Sequence, residues 1–272
     1  MNPKISSNHP IDENVRAAIV QSLQGIERKY EVTILYACES GSRAWGFASP
    51  DSDYDVRFIY VPRLPWYLSV EPQRDVIELP IDDALDINGW ELRKTLQLLL
   101  RSNPVLLEWL DSPVVYREEA ETVRRLRVLA QTHFSSLKGY HHYLTMAKSN
   151  FRGYLQDDQV RLKKYLYVLR PLLAVRWIET RQGQPPMRFA DLAVGTLDDP
   201  ALLDEINRLL DIKMRSGEAE YSERWPGIHA FIEQELNRLA SNDFEQKMEH
   251  KNVEELDHFL RETVHLYSDG LQ

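Results

Sequence analysis

Three acids and a glycine–serine pair are the residues here whose types and spacing suggest chemistry. Asp53 and Asp55 stand two apart at the head of the apolar run Val56-Arg57-Phe58-Ile59-Tyr60-Val61. Alternate residues of an extended strand share a face, so both carboxylates point one way while Tyr54 and Val56 point the other. Two like charges that close repel, and sharing a divalent cation relieves the repulsion. Mg²⁺ suits such a pair, because it takes hard oxygen ligands and uses a few carboxylates together with substrate phosphates. Asp86, between Leu85 and Ile87 on a predicted strand, is the candidate third acid. It would complete a two-metal site able to activate an attacking hydroxyl. Gly41-Ser42 ends an earlier strand and opens a short helix. There glycine lets backbone approach an anion, helix-start N–H groups point at it, and the Ser42 hydroxyl adds a phosphate contact.

Each feature is common alone. A Gly-Ser pair is usually a turn, an Asp-x-Asp usually a solvated turn or cap, and Asp82 and Asp83 read as turn acids. Their order is what points to function. The bend follows a strand, the acid pair opens the next strand ten residues later, and a third acid sits on a later strand.

The elements that must hold these groups follow from periodicity. Val15, Ala18, Ile19, Ser22, Leu23 and Ile26 recur at helical spacing, with Asp12 as N-cap. The β-branched and apolar run 32–38 predicts a buried strand, 54–61 a second, and 75–79 and 84–88 two more around Pro80. Residues 91–101 read as a helix, Pro104 opens another to 110, and 113–116 adds a short edge strand. From about Glu118 helical patterns take over: 118–133, 135–156, 159–181, 200–213, 226–240 and 242–267. The expected division is an α/β domain over 1–115 and an all-helical domain over 116–272.

In the helical half, Lys163, Tyr167 and Arg170 fall on one face of 159–181, beside an apolar face of Leu162, Leu166, Leu169 and Leu173. Such a cationic stripe could hold a triphosphate tail, with Tyr167 stacking on a base; a plain solvated face is the alternative. Pro171 is expected to kink this helix. Arg43 and Arg57 flank the acid motif and could neutralise charge there. The adjacent His141-His142 point apart on a helix and read as structural, and Tyr140, Tyr143, Phe151 and Tyr154 read as helix core.

Bulk properties narrow the class. The chain has 272 residues, 43% of them hydrophobic, ample for a sizeable core without staples. One cysteine, Cys38, excludes an intramolecular disulfide, and its apolar neighbours predict a buried thiol. No signal-like apolar segment follows Met1 and no apolar stretch reaches membrane-spanning length, so the cytoplasm is the expected compartment. A formal charge of −9 argues against wholesale nucleic-acid binding but not against a local basic cleft.

Gly41-Ser42, the ten-residue gap and Asp53-Tyr54-Asp55-Val56 together resemble the signature of the DNA polymerase beta-type nucleotidyltransferases. The longer string from Ser42-Arg43-Ala44-Trp45-Gly46 through Ser52-Asp53-Tyr54-Asp55-Val56-Arg57-Phe58-Ile59-Tyr60 is similar to one branch, the RlaP-like nucleotidyltransferases of a predicted RNA-repair pathway. Glu91-Leu92-Arg93-Lys94, Ser102-Asn103-Pro104 with Leu107-Glu108-Trp109-Leu110, and Lys163 to Leu173 also resemble it, so the likeness covers roughly 30–195. It implies an α+β fold: a polymerase beta-type domain with a small mixed sheet flanked by helices, followed by an all-α domain. It further implies transfer of a nucleoside monophosphate from an NTP, ATP among them, to an acceptor hydroxyl. Asp53, Asp55 and Asp86 would ligate two Mg²⁺ or Mn²⁺ ions. Gly41, Ser42, Arg43, Lys163, Tyr167 and Arg170 would contact the nucleotide. An RNA 3′ end is the acceptor the branch name suggests; a small molecule or a protein side chain would use the same site.

Other Asp-x-Asp enzymes fit less well. Haloacid-dehalogenase-type hydrolases place the pair at the end of an apolar strand, and glycosyltransferases leave Gly41-Ser42 unexplained. A non-catalytic, antitoxin-like nucleotide- or RNA-binding regulator on the same fold remains the rival.

Overall fold

Asp12 caps the first helix as its sequence position suggests: its carboxylate accepts from the backbone N–H groups of Asn14 and Val15. The computed structural model describes residues 5–80, 84–181, 183–217, 220–241, 244 and 252–268. In chain order these form α1 (Glu13–Tyr30), β1 (Val32–Glu39), α2 (Gly41–Trp45), β2 (Tyr54–Pro62), α3 (Leu64–Tyr67), β3 (Val76–Glu78) and β4 (Leu85–Glu91). Then come α4 (Leu92–Leu100), α5 (Pro104–Leu110), β5 (Val115–Glu118), α6 (Ala120–His133) and α7 (Ser136–Tyr154). β6 (Gln159–Arg161), α8 (Leu162–Arg181), α9 (Phe189–Thr196), α10 (Pro200–Arg215), β7 (Tyr221–Glu223), α11 (Pro226–Ala240) and α12 (Val253–Ser268) complete it. Asp82, Asp83 and most of 242–251 lie outside the described residues.

The compact units do not follow the expected cut at 115. One unit gathers Pro10–Gly41, Asp53–His133 and His250–Gln272; the other gathers Met1–His9, Ser42–Ser52 and Phe134–Glu249. Contacts between residues distant in sequence decide this grouping, and a composition shift along the chain does not reveal them.

The first unit is built on a five-stranded mixed sheet in the order β3-β4-β2-β1-β5. β1 runs antiparallel to β2 and β5, β3 antiparallel to β4, and β2 parallel to β4. A parallel pair needs a crossover, here supplied by the segment carrying α3 and β3. Ile19, Leu23 and Ile26 of α1 pack on Val32, Ile34, Val56, Phe58 and Ile87. Each such side chain contributes roughly 1.5–3 kcal/mol by leaving water. The C-terminal α12 belongs here too, burying Leu256, Phe259 and Val264. Arg125 pairs with Glu262 at 2.5 Å, the Thr122 and Tyr267 hydroxyls meet at 3.0 Å, and His133 Nε2 lies 3.3 Å from the Asn252 carbonyl.

The second unit is mainly helical. Its core joins Tyr140, Tyr143, Leu162, Leu166, Leu169 and Leu173 to Leu192, Ile206 and Ile232, so the apolar faces expected of α7 and α8 are buried. One expectation is corrected, and one helix is new. Residues 159–161, expected as the start of a helix, form β6, which pairs with β7 through Gln159↔Glu223, Val160↔Ser222 and Arg161↔Tyr221. The β-branched Val160 turns inward there while its neighbours face solvent, a strand's alternation. α9, with no expected counterpart, fills part of the core with Phe189, Leu192 and Ala193. α8 runs through Pro171 to Arg181. No described helix is long and apolar enough to cross a membrane.

Candidate active site

β2 and β4 bring two of the three expected acids together. Their parallel register sets the Cα of Asp55 opposite that of Asp86, with Val56 opposite Ile87 on the next step. Val56 and Ile87 are buried under the sheet, which turns both carboxylates to the other face. Arg57 lies two residues beyond Asp55, so its side chain shares that face. Its Nη2 donates to Asp55 Oδ1 at 2.9 Å and to Asp86 Oδ2 at 2.8 Å. Its Nη1 donates to the carbonyls of Val56 and Asp86, both at 3.0 Å. One guanidinium thus sits between the two acids in the role expected of a cation. Asp53 lies just before β2 and is exposed.

The end of β1 surrounds Asp55 from another side. Glu39 is wholly buried; its Oε1 accepts the Asp55 N–H at 2.8 Å, and its Oε2 accepts the Tyr116 hydroxyl. The Ser40 N–H donates to the Asp55 carbonyl at 2.8 Å. Gly41 has φ of 59°, and a Cβ there would fall onto Asp55 Oδ2 and lie 3.0 Å from its Cγ. The anion that this glycine lets close is thus the chain's own carboxylate. Burial, and after it the charge of Glu39, pushes the Tyr116 phenol well above its usual value, so it stays a hydrogen-bond donor to that carboxylate. Burial also pushes the Cys38 thiol up to about 12, in keeping with the inert, buried cysteine expected.

The donor set, carboxylates already sharing one cationic group, suits a hard divalent ion. Among the described residues, however, no three of His, Cys, Asp and Glu are grouped as a metal centre. Asp53 therefore does not complete a preassembled trio with Asp55 and Asp86. Arg57 is the cationic side chain that joins Asp55 to Asp86.

The remaining expected residues belong to the other unit, which Ser42 enters. The Arg43 side chain is buried and its Nη2 donates to the Ser52 carbonyl at 2.6 Å. That bond anchors the loop before Asp53, a job sequence reasoning did not assign. The same loop is held by Ser49, whose N–H donates to Ser52 Oγ at 3.0 Å and whose hydroxyl accepts from the buried Lys213 of α10. Lys213 was also unforeseen; a lone Lys among Ile212 and Met214 gives little signal. Arg170 is buried with its guanidinium 4.7 Å over the Trp45 ring, and Trp45 meets Tyr167 edge-on at 5.9 Å. The expected stripe is thus not a solvated row: Arg170 is inside, Tyr167 packs against the core, and Lys163 is half-buried. Lys164 approaches the Tyr167 ring, at 5.2 Å.

Comparison with known proteins identifies the family. A family model described as RlaP, the RNA repair pathway DNA polymerase beta family, matches residues 15–262. A Bacillus subtilis (strain 168) protein described as "Uncharacterized protein YcgL" is 49% identical over 258 residues, spanning 94% of this chain and 99% of that one. A crystal structure of a nucleotidyltransferase-like protein from Exiguobacterium sibiricum 255-15 covers 92% of this chain and 90% of its own at 13% identity. Its TM-score of 0.31 is too slight a likeness to carry weight. The family match takes in Glu39 to Arg57 and Asp86 alike, and the chain belongs to the RNA repair pathway DNA polymerase beta family.

Proposed function

We propose that the protein is a nucleotidyltransferase that moves a nucleoside monophosphate from an NTP to an acceptor hydroxyl, an RNA 3′ end being the favoured acceptor. The observation that carries this reading is the register of β2 on β4, which sets Asp55 against Asp86 on one face of the sheet. In the reaction the acceptor oxygen attacks the α-phosphorus in line. The bond from that phosphorus to the pyrophosphate oxygen breaks, and the hydroxyl proton leaves toward carboxylate. Asp53, Asp55 and Asp86 would hold Mg²⁺ or Mn²⁺. When bound, such ions neutralise the charge that builds on the phosphoryl oxygens and make the hydroxyl a better nucleophile. Asp86 is assigned to the hydroxyl side, and Asp53 and Asp55 to the phosphate side. Ser42 would contact the phosphates. Arg57 holds the two carboxylates together until a cation replaces it.

A second reading also has an observation behind it. With Arg57 bonded to both Asp55 and Asp86, the site could bind nucleotide or RNA without turnover, as a regulator. Incubation with each labelled NTP, Mg²⁺ and an RNA pool separates the two. Labelled RNA and released pyrophosphate, both lost in Asp53→Asn, are the expected result. Nucleotide binding with no product from any acceptor would establish the regulator instead.

A further inference from the structure

We propose that Glu39 is a positioning residue for Asp55, acting through a cradle of three consecutive residues, Glu39, Ser40 and Gly41. The inference rests on the reading of Asp55 as a metal ligand. Each member of the cradle holds a different part of Asp55. The Glu39 carboxylate takes its N–H at 2.8 Å, the Ser40 N–H takes its carbonyl at 2.8 Å, and Gly41 leaves the space its carboxylate occupies.

A fully buried carboxylate is costly to keep in a fold, and Glu39 is kept with both oxygens engaged, one on Asp55 and one on Tyr116. Only the first of those bonds reaches a residue of the candidate site. β1 and β2 are antiparallel neighbours, with Glu39 opposite Val56, so the side-chain bond to Asp55 reaches one residue back along β2. It ties down the residue just past the last β1–β2 pair, where β2 is paired in the sheet with β4 alone. A carboxylate ligand has many rotamers and a strand end frays. Fixing the peptide on both sides of Asp55 leaves its side chain little freedom except over Gly41. In this account the Glu-Ser-Gly run before Ser42 serves the acid pair as much as the phosphate.

The test is Mn²⁺ binding to the full chain by electron paramagnetic resonance, with circular dichroism to check folding. Glu39→Ala removes the acceptor, and Glu39→Met does so at similar length should the smaller residue leave the fold unstable. Glu39→Gln keeps an oxygen for the Asp55 N–H. Ser112→Ala is the control: its hydroxyl donates to the Glu39 main-chain carbonyl at 2.7 Å, so it removes a buried bond from the same strand end without touching the carboxylate.

Loss of a residue that orients a ligand typically weakens metal binding on the order of ten-fold or more. That loss is expected for Glu39→Ala or Glu39→Met, with Glu39→Gln close to wild type and Ser112→Ala unchanged in affinity even where its Tm falls. Equal Mn²⁺ affinity in wild type and Glu39→Met, or an equal loss in Ser112→Ala, overturns the positioning role alone. No Mn²⁺ bound by the wild type overturns the ligand role of Asp55 and this inference with it.

Discussion

Arg57→Met isolates the cation that joins Asp55 to Asp86. Both carboxylate oxygens lie within 2.9 Å of the same nitrogen, so they are less than about 6 Å apart. Two unit charges at that separation repel by about 3 kcal/mol at an effective dielectric of about 20. The site is only partly shielded from water: the Asp55 and Asp86 side chains are 30% and 34% exposed and Arg57 17%. Solvent and salt should therefore reduce the cost to roughly 1–2 kcal/mol. At about 2–4 °C per kcal/mol for a chain of this size, the variant should melt on the order of 2–8 °C below wild type without metal, with the gap narrowing at high salt. Added Mg²⁺ should then stabilise the variant more than the wild type, where the ion must first displace a guanidinium. Thermal unfolding followed by circular dichroism, with and without Mg²⁺ at two ionic strengths, measures all three effects. A variant as stable as wild type in the absence of metal would refute the electrostatic reasoning. Mg²⁺ stabilising wild type at least as strongly would refute the competition.

Gly41→Ala must place a Cβ on Asp55 Oδ2 at positive φ. It should cost about 1 kcal/mol or more in urea unfolding and lower nucleotidyl transfer, and unchanged activity would sever Gly41 from Asp55. Ser42→Ala should raise the barrier for NTP use by about 1–2 kcal/mol, the scale of one hydrogen bond to a charged group, read as kcat/KM in steady-state assays. Cys38 keeps its proton up to about 12 in the fold against an ordinary value of 9.0, so the folded state binds that proton more tightly. The stabilisation is intact below about pH 9 and is lost as pH rises toward 12; a thiol reagent at pH 8 should label only unfolded chain.

Much of the sheet was legible because its strands carry their own signals. Val32 to Cys38 and Val56 to Val61 are β-branched and apolar runs, and Asp12, Asn103 and Pro104 mark helix starts as caps and first turns should. Two features of the site could have been found by the same rules. Arg57 is two residues from Asp55 on a strand, so it must share its face. An acid such as Glu39, closing an otherwise apolar strand, must find donors. What spacing could not supply was the pairing of β2 with β4, because Asp86 meets Asp55 through a crossover whose register no local pattern encodes. The short β6 and β7 were hidden for a related reason: three residues satisfy a helical window as well as a strand, and only their partner decides. The cut at 115 missed the sheet unit's claim on α6 and α12 because amphipathic helices look alike whichever core they cover.

That claim bears on how the protein is made. The sixteen residues of α12, translated long after β2 and β4, supply Phe259 and Leu256 to the unit whose sheet holds Asp55 and Asp86. A nascent chain halted near residue 240 would carry Asp55 and Asp86 on a sheet still missing one of its helices. A product cut short there should therefore surface as misfolded protein rather than as a smaller folded one.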